Sequence, residues 1–376
     1  MKIPEVSIIL PCLNEEQAIG TCIDEIKRIL KERNLNAEII VVDNGSKDRS
    51  VDITRRKGAK VFFEPRRGYG AACLKGFNVA NGKYLLLVDA DCSYDFSYIP
   101  RFISQLKRGY ELVIGNRFKG KIESGSMPLL HRYLGNPLLS LVLRVFFKSK
   151  VGDAHCGMRA IRKSALKKLD LRATGMEFAS EMVILATKNN LKIKEIPIDY
   201  YKRRGNSKLK TFSDGWRHLR FMLLYSPFFL FFIPGLIIFL LGFFTLLLLY
   251  FFKIRVFGLY FYYHPMFFSA SFVIVGYQLI VFALFAKTYA LTHLGDDKKF
   301  EKIYKYITLE RTLLFGFLLF LAGTLMFFYL IVKWLKSGFG ALSEIKNSII
   351  ALTLLLLGIQ TIFSSFMLSI LGIKRK

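Results

Sequence analysis

The sequence predicts a chain in two parts: an α/β domain built on a mainly parallel sheet, then a membrane region of four helices. Three observations carry that expectation. Short apolar runs alternate with amphipathic stretches over the first third of the chain, long charge-poor runs fill its last two fifths, and charge is divided unequally between the two. Of 376 residues, 53% are apolar and 15% aromatic, yet 55 Lys and Arg face 28 Asp and Glu, for a net charge of +27. A disordered polycation would not hold 36 Phe and 18 Tyr, and a soluble enzyme rarely joins so apolar a composition to so much positive charge. The apolar residues must therefore be segregated. Residues 1–225 hold 41 of the basic and 23 of the acidic side chains, net +18, and 226–376 hold 14 and 5, net +9.

Taken in order, Val6–Leu10, Ala37–Val42, Lys60–Phe63, Tyr84–Val88 and Glu111–Ile114 are strand candidates, and helical patterns lie near 15–32, 47–58, 70–81 and 97–108. Strand and helix in alternation give βαβ units, a sheet covered by helices, and ligands in the crevice at the carboxyl ends of the strands. The apolar start, Val6–Leu13, is broken by Ser7 and Pro11 and followed by Glu15 and Glu16, so it reads as a buried strand and not a signal peptide. Five cysteines without a CxxC pair argue against structural zinc and suit a reducing cytosol.

Spans are expected at 226–252, 265–286, 312–332 and 348–371, since a helix needs about 20 apolar residues to cross the hydrocarbon. Lys and Arg bias the flanks in alternation. Seven lie between Tyr201 and Phe221, only Lys253 and Arg255 follow the first span, six separate the second and third, and Lys374-Arg375-Lys376 ends the chain. By the positive-inside rule both termini and residues 1–225 are cytoplasmic. Basic amphipathic stretches at Met127–Lys148 and 209–225, with Leu, Phe and Trp216 among Arg and Lys, are expected to lie flat in the membrane interface.

Two strands run into carboxylates: Ala37–Val42 into Asp43-Asn44-Gly45-Ser46, and Tyr84–Val88 into Asp89-Ala90-Asp91. The first strand is followed by no GxGxxG, and GxxxxGK[ST] is absent, which disfavours a plain NAD enzyme or an ATPase. Two acids one residue apart can instead hold a hard divalent cation that also takes diphosphate oxygens. Asp43 can accept hydrogen bonds from a ribose or a base, although an Asp after a strand is often a turn residue or a cap.

Pro11-Cys12-Leu13-Asn14-Glu15-Glu16, Val42-Asp43-Asn44-Gly45-Ser46 and Asp89-Ala90-Asp91 resemble the signature of inverting family 2 glycosyltransferases of GT-A fold. With Gly115-Asn116-Arg117-Phe118, the stretch Asp153–Ala160 and Arg203-Arg204-Gly205-Asn206-Ser207-Lys208, the resemblance narrows to polyprenyl-phosphate (dolichyl-phosphate) hexose synthases. It covers roughly residues 4–225; with the amphipathic stretch and the apolar runs, the expected organisation is a catalytic domain over 1–208, an interfacial helix over 209–225 and a membrane domain over 226–376. Pro11, Leu13, Glu15 and Asp43 would line the nucleotide pocket, Asp89 and Ala90 would lie at the ribose or sugar, and Asp91, with Asp89, would hold Mg²⁺ or Mn²⁺ on the diphosphate. Arg117 would face the acceptor phosphate and Asp153 the sugar hydroxyls, while Arg203, Arg204 and Lys208 would form a basic loop over the phosphates. Many members carry Gln as a further metal ligand where Ser93 stands here. The stretch from Asp153 to Met158 looks most like glucose-type members, which favours UDP-glucose over GDP-mannose as donor. A lipid monophosphate is already charged near pH 7, so it needs no general base, and direct displacement predicts inversion.

Expected partners are thus a nucleotide sugar, a polyprenyl phosphate and membrane lipid, with no nucleic acid and with a homo-oligomer left open. A processive polysaccharide synthase would carry QxxRW, and none of Gln17, Gln105, Gln278 or Gln360 begins that pattern. A transporter or scaffold with an eroded transferase domain would show ionisable residues inside the spans, which are bare.

Overall fold

The computed structural model describes residues 3–205, 211–252, 254–256, 259–261, 263–293 and 308–372. The chain divides into two units, Met1–Tyr225 and Ser226–Lys376.

In the first unit the elements run β1 (Val6–Cys12), α1 (Ile19–Glu32), β2 (Ala37–Asp43), α2 (Ser50–Arg56), β3 (Lys60–Phe63), α3 (Tyr69–Val79), β4 (Tyr84–Leu87), α4 (Ile99–Lys107) and β5 (Leu112–Asn116). They continue through α5 (Asn136–Phe147), β6 (Arg159–Arg162), a short α6 (Lys163–Leu166), α7 (Phe178–Lys188), β7 (Ile193–Pro197) and α8 (Thr211–Leu224). The sheet order is β3-β2-β1-β4-β6-β5-β7. Every neighbouring pair is parallel except those made by β6, which runs antiparallel between β4 and β5. The carboxyl ends of β1, β2, β4 and β5 therefore share one edge, and the loops that follow them build the crevice.

The central strands are apolar throughout because both faces are covered: Ile8, Ile9, Leu10, Leu85, Leu86 and Leu87 are fully buried. Helix α1 turns Ile19, Cys22, Ile23, Ile26 and Ile29 inward at helical spacing. Each such side chain, once buried, contributes about 1.5–3 kcal/mol, so one stripe suffices to fix the helix on the sheet. The left-handed Asn34 follows its end.

Strands β6 and β7 fall beyond the region for which sequence periodicity suggests strands. The four residues of β6 include two arginines, and Arg159 is nevertheless fully buried. Its guanidinium donates to the carbonyl oxygens of Cys156 (2.6 Å), Ala154 (3.3 Å) and Ala179 (3.2 Å). A charge so fully hydrogen-bonded can occupy a core position that sequence pattern alone would deny it.

On α8, Met222 and His218 are buried, while Trp216 and Leu224 are exposed. On and before α5, Ser140 and Leu143 are buried while Leu129, Tyr133, Leu134, Leu138, Leu141 and Val145 stay exposed. Both stretches thus have one face packed on the domain and another that leaves apolar side chains uncovered.

The second unit holds a one-turn π-helix (Phe228–Phe232) leading into α9 (Ile233–Phe251), a hairpin of β8 (Ile254–Val256) and β9 (Leu259–Phe261), α10 (Tyr263–His293), α11 (Leu309–Lys336) and α12 (Ile345–Gly372). Among the described residues, four segments, Phe228–Phe251, Tyr263–Thr292, Leu309–Lys336 and Ile345–Gly372, are long and apolar enough to cross a membrane. They extend past the expected spans at most ends, because helical hydrogen bonding continues into the polar flanks that hydropathy excludes. Glycines stand where helices of this unit approach one another closely. A Cβ on Gly276 would lie 2.4 Å from the Phe239 nitrogen, and one on Gly358 would lie 2.4 Å from the Phe320 nitrogen.

Candidate active site

The crevice is latched at the tips of β1 and β2. The Asn14 N–H donates to Ser46 Oγ (2.8 Å), the Lys47 N–H to Asn14 Oδ1 (2.7 Å) and the Glu15 N–H to Ser50 Oγ (2.8 Å). Asp43 is buried and accepts the backbone N–H groups of Gly45 (3.0 Å) and Ser46 (3.2 Å), so its carboxylate shapes its own turn. Asn44 carries the latch further. Its amide donates to the carbonyls of Glu64 and Arg66 and accepts from the Gly68 N–H, which holds the 64–68 loop against the end of β2. Gly68 has φ +135°, and a Cβ there would meet the Thr174 carbonyl at 2.2 Å. The Gly68-Tyr69-Gly70 turn is therefore shaped for close backbone approach, and it brings the Tyr69 hydroxyl to Asp89 Oδ1 (3.0 Å).

Asp89 and Asp91 follow β4. Asp89 lies beneath the 153–157 segment, where a Cβ on Gly157 would come within 2.0 Å of Asp89 Oδ2. Burial, then the neighbouring Asp91 charge, pushes the Asp89 carboxyl up to about 6, against the hydrogen bond from Tyr69. Ala90 between them is buried. Asp91 Oδ1 accepts both the Ser93 N–H (3.0 Å) and the Ser93 hydroxyl (2.5 Å). Ser93 thus stands behind Asp91 and orients it.

A strap from Asp199 to Arg204 runs along the 91–94 segment. Tyr200 bridges Tyr94 and Ile122, the Tyr201 N–H donates to the Ser93 carbonyl (2.9 Å), and the Arg204 N–H donates to the Asp91 carbonyl (2.9 Å). This seats Arg203 between two acids: Nη2 is 3.0 Å from Glu15 Oε1 and Nη1 is 3.6 Å from Asp91 Oδ2. Arg204 reaches Thr21 Oγ1 on α1 (3.1 Å). Lys208 lies outside the described residues. Pro11 and Leu13 sit at the partly exposed rim where β1 ends.

Arg117 and Asp153, 36 residues apart, meet each other. Arg117 Nε and Nη2 donate to the two Asp153 oxygens at 2.7 and 2.8 Å, and the Arg117 N–H adds a third bond of 3.1 Å. Asp153 has no exposed surface and Arg117 only 6%. Burial works against the Arg117 cation, yet the Asp153 charge prevails and holds its pKa well above the ordinary value. The Tyr200 ring covers the guanidinium at 5.2 Å. Glu195 positions the same corner by accepting from Asn116 Nδ2 (3.0 Å) and from the N–H groups of Gly152 (2.7 Å) and Asp153 (3.0 Å).

Behind Asp153, the His155 Nε2 and His218 Nδ1 atoms share the Ser180 hydroxyl at 3.1 and 2.8 Å, with the two rings edge to face at 4.5 Å. Burial holds His155 well below its usual pKa and brings His218 down to about 4, so both are neutral near pH 7. Glu181 accepts the N–H groups of Arg172 and Ala173, a structural role. Sequence reasoning did not reach Tyr69 as a partner of Asp89, nor Glu195, Ser180 and His218. Their signal is spatial, since each meets its partner across 20 or more positions of the chain.

Chemically, the edge offers two hard carboxylates one residue apart, an arginine already beside one of them, and a second arginine oriented by a buried acid. Asp89 and Asp91 crowd negative charge in a poorly solvated place, an arrangement that a divalent cation relieves, and both are oxygen donors of the kind Mg²⁺ and Mn²⁺ take.

Residues 7–170 match the family described as Glycosyl transferase family 2, and residues 284–372 match the Glycosyltransferase family 2 C-terminal transmembrane region. The "Low-salt glycan biosynthesis hexosyltransferase Agl6" of Haloferax volcanii is 37% identical over 98% of this chain and 89% of its own. A "Dolichyl-phosphate hexose transferase" of the same organism is 32% identical over 56% of this chain and 89% of its own. Among solved structures, glucosyl-3-phosphoglycerate synthase from Mycobacterium tuberculosis superposes with a TM-score of 0.50 at 22% identity, over 59% of this chain and 80% of that one, a likeness of fold. From its first strand to its last apolar helix, this chain belongs to glycosyltransferase family 2: it is a membrane protein with a GT-A catalytic domain and a family-type transmembrane region.

Proposed function

We propose that the enzyme transfers one hexose from a nucleotide sugar, UDP-glucose first and GDP-mannose next, to a polyprenyl phosphate of the dolichyl type, with inversion at the anomeric carbon. The observation that carries this reading is the convergence at the end of β4, where Asp89, Asp91, Glu15 and Arg203 meet on the crevice edge. The names of the two Haloferax relatives support a hexosyl group, and one of them a dolichyl-phosphate acceptor.

Asp91 and Asp89 would hold Mg²⁺ or Mn²⁺, whose chemistry when bound is to neutralise charge on the departing diphosphate. Glu15, Asp43, Pro11 and Leu13 line the nucleotide side, with Ala90 packed beneath. Arg203 leaves Glu15 and Asp91 for the phosphates when the donor arrives, and Arg204, with Lys208, adds positive charge to the same loop. Ser93 keeps Asp91 in one rotamer. Asp153 acts as the positioning residue for Arg117: with Nε and Nη2 held, Arg117 presents its remaining Nη1 edge to the acceptor phosphate. The acceptor's own negative oxygen attacks the anomeric carbon, so no protein base has to remove a proton.

The catalytic domain and both termini are cytoplasmic in this reading, on the Lys and Arg bias of the flanks. The exposed Leu129, Tyr133, Leu134, Leu138 and Trp216 enter the interface, where a lipid phosphate offers its head while its tail stays in the bilayer. The experiment is a donor panel: purified protein in detergent with polyprenyl phosphate, Mg²⁺ or Mn²⁺, and labelled nucleotide hexoses taken one at a time. An organic-extractable labelled product from UDP-glucose is expected. Failure of every common donor would sink the proposal.

A further inference from the structure

The thiols of Cys22 and Cys92 lie 3.3 Å apart, sulfur to sulfur, although 70 residues separate them in the chain. Cys22 is fully buried on the inner face of α1. Cys92 follows Asp91 directly, in left-handed backbone at φ +60°, and is partly open to solvent. Both are free thiols. Around them the Arg204 side chain grips Thr21 on α1 while its N–H holds the Asp91 carbonyl, so α1, the Asp89–Asp91 turn and the basic strap meet at this pair.

We propose that Cys22 and Cys92 form a reversible disulfide by exchange with a low-molecular-weight disulfide, and that this bond slows transfer by displacing Asp91. In the first step the Cys92 thiolate attacks the small disulfide, forming a mixed disulfide and releasing one small thiolate. In the second, the Cys22 thiolate attacks the Cys92 sulfur, closing the protein disulfide and releasing the other small thiolate. Two protein thiols lose two electrons and two protons, and the small disulfide is reduced to two thiols. A protein disulfide in a reducing compartment is characteristically transient and redox-sensing, which suits a pair held in contact but unbonded. Bond formation brings sulfurs to about 2.0 Å, so they must close by roughly 1 Å. One sulfur belongs to the neighbour of Asp91, and a displacement of that size at a positioned catalytic group can cost up to about 100-fold in rate.

The effect on turnover rests on the proposed role of Asp91, whereas the cross-link does not. The test is therefore read in two ways on the full-length protein in detergent, after incubation with oxidised glutathione. Peptide mass analysis should find the Cys22 peptide joined to the Cys92 peptide, undone by dithiothreitol, with the buried Cys12, Cys73 and Cys156 unmodified. A Cys92 that carries only glutathione, or two thiols left free, overturns the proposal. The initial rate of transfer should fall at least 10-fold in the cross-linked protein and return on reduction. An unchanged rate overturns the regulatory part. A cross-link in a protein whose reduced form turns over no donor counts against the transferase reading and leaves the disulfide standing. Cys22→Ala should leave glutathione on Cys92 as a stable adduct, and its loss within minutes would contradict the exchange order.

Discussion

The two units solve one problem, the placing of polar groups, in opposite ways. In the first unit buried charge is abundant and each charge has partners: Arg117 with Asp153, Arg159 with three carbonyls, Glu38 with Ser7 and Lys60. In the second, helices satisfy their own backbones and meet through glycine contacts and a few hydroxyl pairs, such as Tyr277 with Thr361 (2.5 Å) and Thr245 with Ser269 (2.9 Å). Where the environment is uniformly apolar, ionisable residues are expensive and few. Where a polar crevice abuts a packed sheet, they can be buried and made to act. If the first unit's charges or the second unit's glycines were dispensable, this division between the units would not hold.

The largest effect is expected at Asp91. Asp91→Asn should lower transfer by about 10³-fold, several kcal/mol of transition-state stabilisation, with an unchanged melting profile. Initial rates across a Mg²⁺ titration test it, and full metal-dependent turnover in the variant would remove Asp91 from the metal site. Next comes Asp153→Asn. Breaking a buried ion pair from one side leaves a buried cation without its partner, which costs about 3–5 kcal/mol. Both stability and rate should fall. A variant with normal stability but lost activity would return Asp153 to direct sugar contact.

The uneven legibility of the two units follows the same contrast. Apolar runs are local, so β1 to β5, α1 to α4 and the four long helices could be read from spacing. The strand-end acids Asp43, Asp89 and Asp91 were legible too, because a carboxylate after an apolar run is visible in the sequence. Which charges meet was not. Arg117 and Asp153 each read as a group waiting for a substrate, and the structure brings them together across 36 positions. Ser93, noted as an absent ligand, turns out to donate to Asp91. Strand β6, four residues long with Arg at both ends, lacks any apolar pattern because its neighbours and backbone carbonyls supply what its sequence does not.

Acid should weaken the fold. Burial brings the folded-state pKa of His218 to about 4 from an ordinary 6.5, and lowers that of His155 as well. Unfolded histidines therefore take up protons that the folded ones refuse. Stability is full above the unfolded value and is lost as pH falls from about 6.5 towards about 4, on the order of 3 kcal/mol for His218 alone. Thermal unfolding of the full chain in detergent at pH 7.5 and 5.0 should show the decline, and His218→Gln should flatten it. An equal decline in that variant would assign the acid sensitivity elsewhere.

The smallest effect tests the second unit on its own terms. Gly276 on α10 has no room for a side chain, since a Cβ would stand 2.4 Å from the Phe239 nitrogen and 2.8 Å from the Gly235 carbonyl oxygen, both on the α9 backbone. Backbone cannot turn aside as a flexible side chain can, so Gly276→Ala must push the two helices apart. Overpacking of this kind costs about 1–3 kcal/mol. Alanine returns part of that through its better helix propensity, about 1 kcal/mol relative to glycine, which places the net loss near the lower end. The melting temperature of the full chain in detergent should drop by a few degrees, while transfer measured well below that temperature stays within about twofold. Gly215→Ala, at a site with nothing within 4 Å of the added carbon, is the control and should leave melting unchanged or slightly raised. If Gly276→Ala melts like the control, close glycine contact is not what holds α9 to α10, and the contrast between a charge-built and a glycine-built unit loses its second half.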